Sequence, residues 1–248
     1  MTLGPRTQQR ALPLAIEAAL RQNRAVSIAD TTCWTMIRGA AEGRVQDREV
    51  FAQRYQRVIR TSLRARWRGS RLSTEIDDAV QEVFVDCFRE GGALAKANPG
   101  HGSGFRAFLY GVVMNVARRF ERARARAGLP LDSDLELPSR EEAFSGLFDR
   151  TWAEALMGQA AVLQTVRAGE VGPDAERRVE LLRLRFRKDL PIREIAQKWG
   201  ADPAHVHHEY AKAREEFHQA LHDVVKEHQG GNHGDVEREC ERLVACFE

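Results

Sequence analysis

Residues 105–119 read FRAFLYGVVMNVARR, and the apolar side chains of this stretch decide the fold. They are Phe105, Phe108, Leu109, Val112, Val113 and Val116. They recur every three or four positions, which predicts one amphipathic helix. Residues 51–63 and 76–88 repeat the pattern, so three helices can close a small bundle over about residues 30–127. Period-two alternation is not found, and the predicted fold class is therefore all-α.

A helix-turn-helix pattern follows near the other end of the chain, inside a second helical region that starts near Phe148. Ala196, Gly200 and Val206 have the Ala-x3-Gly-x5-Val spacing of this motif. Pro191 suits the first turn of its first helix, Gly200 the tight turn, and Asp202 the cap of the second helix. The pattern favours a second helix that lies in a DNA major groove. An ordinary helix hairpin in a bundle is the alternative.

Charge is strongly segregated along the chain, although the formal net charge of its 248 residues is only +2. Residues 54–71 hold seven arginines and no acid, and residues 104–128 hold six arginines against one acid. Residues 75–90 hold six acids against one arginine, and residues 132–154 hold seven against two. Such blocks create local potentials that favour charged partners. Solvated helix faces are the alternative for any single block.

Several classes of protein are excluded by the composition. No apolar run approaches the roughly 18 residues that a membrane span needs, and no segment resembles a signal peptide. The four cysteines are scattered, with no CxxC pair. We also find no Gly-rich phosphate loop, nucleophile elbow or metal-ligand cluster. We therefore expect a cytoplasmic protein that is not an enzyme, with no cofactor, no metal and no membrane insertion.

Two stretches resemble motifs of bacterial sigma factors. Residues 77–84, DDAVQEVF, resemble the region 2.2 signature, and residues 105–119 look like regions 2.3 and 2.4. With the linker and helix-turn-helix that follow, the chain resembles extracytoplasmic-function (ECF) sigma factors over about residues 30–226. The resemblance implies two small helical domains joined by an acidic linker. They would be a sigma domain 2 over 29–128, a linker over 129–146 and a sigma domain 4 over 147–226, between extensions at 1–28 and 227–248.

The family resemblance implies a transcription initiation factor that binds core RNA polymerase, recognises the −10 and −35 promoter elements and assists promoter opening. It assigns core-polymerase binding to the outward face of the helix with Asp77, Asp78, Gln81, Glu82 and Asp86. The −10 element would be contacted by Lys96, Asn115, Arg118, Arg119 and Arg122. The −35 element would be contacted by Arg193, His205, His207, His208, Lys212 and Arg214. An amide suits a base edge and guanidinium groups suit phosphates. An anti-sigma factor or another regulatory protein is a further partner that the resemblance allows.

Some positions depart from the family pattern. Arg119 stands where many members have an acid, and His207 and Glu209 stand where many have Lys or Arg. Phosphate would repel Glu209 unless the carboxylate accepts from a cytosine amine. Two alternatives therefore stay open: a stand-alone helix-turn-helix DNA-binding regulator, and a sigma-like helical interaction protein without promoter binding. For Trp67, stacking on an unpaired base and packing in the core both remain open.

The acidic linker is expected to be helix-poor and flexible. In sigma factors this segment threads the polymerase channel that nascent RNA later fills. The residues that would do so here are Asp132, Asp134, Glu136, Glu141 and Glu142.

Overall fold

A computed structural model describes residues 33–98, 104–128, 137–229 and 233–246. These ranges are helical, with no strand in any of them, which confirms the predicted all-α class. The predicted N-terminal extension lies outside the described residues. No helix within these ranges is both long and apolar enough to cross a membrane.

Nine α-helices occur in the described ranges, together with short 3-10 helices at Arg71–Glu75 and Leu94–Lys96. They are α1 (Cys33–Ala41), α2 (Val45–Arg66), α3 (Ile76–Phe88), α4 (Gly104–Arg126), α5 (Leu137–Val171), α6 (Pro173–Arg187), α7 (Ile192–Trp199), α8 (Pro203–Gln229) and α9 (His233–Ala245). The chain divides into two compact units. Of the described residues, the bundle unit contains 33–98, 104–128, 137–152 and 227–229, and the helix-turn-helix unit contains 153–226 and 233–246.

The core of the bundle unit is formed by the apolar stripes that the sequence predicts. The fully buried side chains on α2 are Phe51, Tyr55, Val58, Ile59 and Leu63. On α3 and α4 the inward residues include Val83, Phe105 and Val113, each with no exposed surface. Burial of one such side chain contributes about 1.5–3 kcal/mol, so these stripes supply most of the driving force for the bundle.

The predicted linker is partly helical. We expected residues 129–146 to be helix-poor, but helix α5 begins at Leu137, so this expectation is wrong for residues 137–146. Residues 129–136, with Asp132, Asp134 and Glu136, lie outside the described residues. Residues 137–146 are helical because α5 carries an apolar stripe. Phe144, Phe148 and Trp152 follow one another at four-residue steps and are buried in the bundle unit. Their rings stack, with centroids 6.1 and 6.4 Å apart.

A buried polar chain runs through the same core. The Tyr55 hydroxyl lies 2.9 Å from His228 Nε2 and 3.4 Å from Cys33 Sγ. The Tyr55 ring stacks on Trp152 at 5.6 Å. Burial raises the pKa of the Cys33 thiol to about 12, so the thiol stays protonated at neutral pH. These polar groups satisfy one another, which limits the cost of placing them among aromatic rings.

A buried ion pair joins α2 to α4. Arg66 is 2% exposed, and its Nε and Nη2 donate to the two carboxylate oxygens of Glu121 at 2.6 and 2.9 Å. Trp67 Nε1 donates to the same carboxylate at 3.0 Å. Trp67 is 1% exposed, so this indole packs in the core and has no free face on which an unpaired base could stack.

The helix-turn-helix unit follows the predicted spacing closely. Gly200 ends α7 in the left-handed conformation (φ 60°, ψ 32°), and the His205 N–H donates to Asp202 Oδ2 at 3.1 Å at the start of α8. Ala196 and Val206 are buried in a cluster whose other members are Leu181, Leu184, Ile192 and Ile195. Pro191 differs by one position: it precedes α7 in an extended conformation, and the helix begins at Ile192.

We predict that Glu121→Gln lowers the free energy of unfolding by about 3–5 kcal/mol, because it leaves the Arg66 charge buried without a counter-charge. Urea unfolding followed by circular dichroism measures this loss. Arg118→Gln, which removes an exposed ion pair, is the matched control and costs less than about 1 kcal/mol. Equal losses in the two variants would contradict a special role for the buried pair.

Candidate functional site

Helix α3 presents an acidic outer face. Asp77, Asp78 and Gln81 are exposed, while Glu82 and Asp86 are half-buried. Val85 lies among them and is 54% exposed, although it is a large apolar side chain. The five residues predicted to bind core polymerase therefore lie on one helix, around a solvated apolar side chain. Such a face fits a basic partner surface with an apolar contact.

Helix α4 presents a polar stripe on the side opposite its buried residues. Asn115, Arg118, Arg119 and Arg122 are all exposed and recur at three- and four-residue steps. Arg126 continues the stripe by one more turn, and its Nε donates to the Arg122 carbonyl at 3.3 Å. Four guanidinium groups beside one amide suit phosphates and a base edge. This stripe brings together four of the five residues predicted for the −10 element.

Lys96 is the fifth of those residues. It ends the short 3-10 helix Leu94–Lys96 and is exposed. Residues 99–103, which follow in the chain, lie outside the described residues.

Arg119 connects the two faces of the bundle unit. Its Nη2 lies 2.9 Å from Asp86 Oδ2 and 3.2 Å from Glu82 Oε2. Arg118 is also paired, with Glu141 of α5 at 3.1 Å. These pairs are partly exposed, so each is weak and exchangeable, worth about 1 kcal/mol or less. The arginines predicted to contact phosphate thus have protein acids as competitors.

The second helix of the helix-turn-helix motif presents the predicted histidines to solvent. His205, His207 and His208 are exposed near the start of α8, and Lys212 is exposed one turn later. Arg193 is exposed on α7. Arg214 is half-buried, with its guanidinium 5.8 Å from the Tyr210 ring centroid, so this side chain also packs within the unit.

Glu209 is held within a network of charges. Its carboxylate oxygens lie 3.0 Å from Lys212 Nζ and 3.2 Å from Arg178 Nη1. Arg178, on α6, also pairs with Glu216 at 2.6 Å. The hydrogen bond from Lys212, followed by that from Arg178, lowers the pKa of Glu209. The carboxylate that the sequence suggested would repel phosphate is therefore largely compensated by neighbouring cations.

Sequence reasoning missed Arg178 and Arg126. Arg178 lies on α6, well outside the motif, and nothing in its local sequence marks it as the partner of Glu209. Arg126 could have been found, because it continues the four-residue step from Arg118 and Arg122.

We predict that Glu209→Gln lowers the free energy of unfolding by about 1–3 kcal/mol at pH 7, since it weakens charge-assisted hydrogen bonds. Because the pKa of Glu209 is lowered on folding, its stabilisation is present above about pH 4.5 and is lost as the pH falls through the folded pKa. Unfolding measured from neutral to acidic pH should show the wild type and the variant converging. Glu194→Gln, at an exposed acid of α7, is the control. A difference that grows on acidification would contradict the prediction.

Comparison with known proteins assigns no family to the chain. No protein-family model matches the chain, and no curated protein matches it with significant similarity.

Proposed function

We propose that the chain is a transcription initiation factor of the ECF sigma type, which binds core RNA polymerase and promoter DNA and assists promoter opening. The observation that carries the proposal is the exposed stripe of α4, with Asn115, Arg118, Arg119 and Arg122, beside the acidic face of α3. One unit thus offers an acidic surface to a protein and a basic surface to nucleic acid. Such a factor acts in the bacterial cytoplasm, needs no cofactor and has no catalytic activity of its own.

The helix-turn-helix unit would contact the −35 element as a second domain. Its support is the left-handed Gly200, the Asp202 cap and the exposed His205, His207 and His208 at the start of α8. Neutral imidazoles hydrogen-bond bases but add little attraction to phosphate. Recognition by this unit would therefore depend more on base contacts than on charge.

A second candidate is a sigma-like interaction protein without promoter binding. It is favoured by the ion pairs that occupy three predicted DNA contacts, namely Arg118, Arg119 and Lys212. The two candidates share the α3 face and differ in DNA binding.

We expect Asp78→Ala/Gln81→Ala to lower the affinity for purified bacterial core polymerase by about tenfold, which corresponds to about 1.4 kcal/mol. Both side chains are exposed, so their loss should leave the fold intact. Binding is measured by fluorescence anisotropy of the labelled chain, and function by run-off transcription on genomic promoter fragments. Gln46→Ala/Glu49→Ala is the matched control, an exposed amide and acid three residues apart on α2. If both double variants bind core like the wild type, the α3 face is not the contact.

A separate test distinguishes the two candidates. Asn115→Ala/Arg122→Gln should leave core affinity unchanged and abolish specific run-off transcripts, because it removes one base contact and one phosphate contact. Arg38→Gln, an exposed arginine on α1, is the control for loss of charge. Core binding by the wild type with no transcript from any promoter fragment would support the interaction protein instead.

A further inference from the structure

A cavity of about 240 Å³ lies in the helix-turn-helix unit, between α6, the end of α7 and the start of α8. Its lining combines an apolar floor with charged side chains, and one acid and one arginine among them make no ion pair within the described ranges. We propose that this cavity binds a free aromatic α-amino acid, with the ring on the apolar floor and the carboxylate and ammonium on the two unpaired charges. Such binding would hold whether or not the chain is a sigma factor, because it needs neither DNA nor polymerase.

The floor of the cavity is apolar and well packed. Leu181 and Val206 line it and are 0% and 2% exposed, so both belong to the core of the unit. Trp199 and Ala201 line it from the two sides of the Gly200 turn and are half-buried, which leaves part of their surface available to a ligand. Apolar cavities of about 150 Å³ already hold benzene, so this one has room for a ring with a short polar end. An indole in the wall favours an aromatic ring, because aromatic pairs gain more than area burial alone provides.

Asp174 and Arg177 carry the two unpaired charges. Both are exposed, both line the cavity, and they lie three residues apart on α6, so their side chains share one face of the helix. They do not pair with each other, and the Arg177 guanidinium instead lies over the Trp199 ring, 4.6 Å from its centroid. This cation–π contact uses none of the guanidinium N–H groups as hydrogen-bond donors, so they stay available for a carboxylate.

The other acid, arginine and lysine of the lining neutralise one another. Glu209 lies 3.2 Å from Arg178 Nη1 and 3.0 Å from Lys212 Nζ, and Arg178 also pairs with Glu216. Among the acids, lysines and arginines of the lining, a ligand therefore meets only the Asp174 and Arg177 charges uncompensated.

These two charges select a zwitterion over a singly charged ligand. An aromatic acid would pair with Arg177 but would meet Asp174 as a like charge, and an aromatic amine would meet Arg177 as a like charge. An α-amino acid places its carboxylate and its ammonium on neighbouring atoms, and two side chains one helical turn apart can reach both. The same pair of residues thus attracts the amino acid and disfavours its singly charged analogues.

The cavity also shares side chains with the predicted −35 contact. His205 and Lys212 line it and are exposed on α8. Under the proposed function, occupancy of the cavity and binding of the −35 element would therefore be linked through these two residues.

The test is isothermal titration calorimetry of the full chain with L-phenylalanine and its analogues. Phenethylamine lacks the carboxylate, 3-phenylpropanoate lacks the ammonium, and L-alanine lacks the ring. We expect saturable binding of L-phenylalanine, and an affinity at least about tenfold lower for each analogue, because each loses a charge-assisted hydrogen bond or the apolar contact.

Two variants assign each charge of the ligand to its partner. We expect Arg177→Gln to lower the affinity for L-phenylalanine about tenfold and not to lower that for phenethylamine, which has no carboxylate. Asp174→Asn should cause a similar loss for L-phenylalanine and no loss for 3-phenylpropanoate. Both residues are exposed, so the variants should fold, which circular dichroism checks.

Arg187→Gln and Glu176→Gln are the matched controls. They remove exposed charges of α6 that do not line the cavity, and both should bind L-phenylalanine like the wild type. Loss of binding in these controls as large as in the two cavity variants would contradict recognition by the cavity.

The proposal is overturned if L-phenylalanine shows no saturable binding at millimolar concentration, or if either singly charged analogue binds as tightly as the amino acid. It is also overturned if Arg177→Gln and Asp174→Asn bind L-phenylalanine like the wild type. Failure of the proposed function looks different, because core-dependent transcripts would then be absent while these titrations stay unchanged.

Discussion

The buried ion pair between Arg66 and Glu121 fixes how helices α2 and α4 of the bundle unit face one another. A charge removed from water is tolerated only beside a counter-charge with matching hydrogen bonds. The bidentate contact and the Trp67 indole provide these. Because Glu121 must point inward, at four-residue steps from Val113 and Ala117, the opposite side of α4 must point outward. The polar stripe of α4 is thus exposed for the same reason that Glu121 is buried.

The segregated charge of the sequence serves both folding and recognition. Arg66 is paired with a buried acid of the bundle unit, whereas Arg60, Arg118 and Arg119 make ion pairs at the surface. Under the proposed function, a basic partner on the α3 face competes with Arg119 for Glu82 and Asp86. Binding there would release Arg119 for phosphate, and phosphate would release the acids for the partner. The two ligands would then favour each other by the same factor, as linkage requires.

Sequence periodicity was sufficient to predict the helical class and the motif at α7 and α8. The stripes of α2, α3 and α4 are core, and Gly200 and Asp202 have the predicted roles at the turn. Composition misled at residues 137–146, where prolines and acids suggested a linker. Pro138 is the second residue of α5, a position where its missing N–H costs nothing. The step from Phe144 to Phe148 to Trp152 was the stronger signal, and it crosses the boundary that composition suggested.

Contacts between residues that are distant in the sequence could not be predicted from any sequence pattern. Arg66 looks like its neighbours in a run of arginines, and only the helix phase that it shares with Ile59 and Ser62 separates it from the exposed ones.

The two units divide the work of recognition differently if both meet DNA. In the bundle unit, Arg64, Arg68 and Arg122 are exposed cations, so its contribution should depend strongly on salt. In α8, Lys212 is paired with Glu209, and the predicted contacts near its start are imidazoles, not guanidinium groups. Few counterions would be released there, so its contribution should come from hydrogen bonds to base edges. Affinity would then come mainly from the bundle unit and discrimination between promoters mainly from the helix-turn-helix unit.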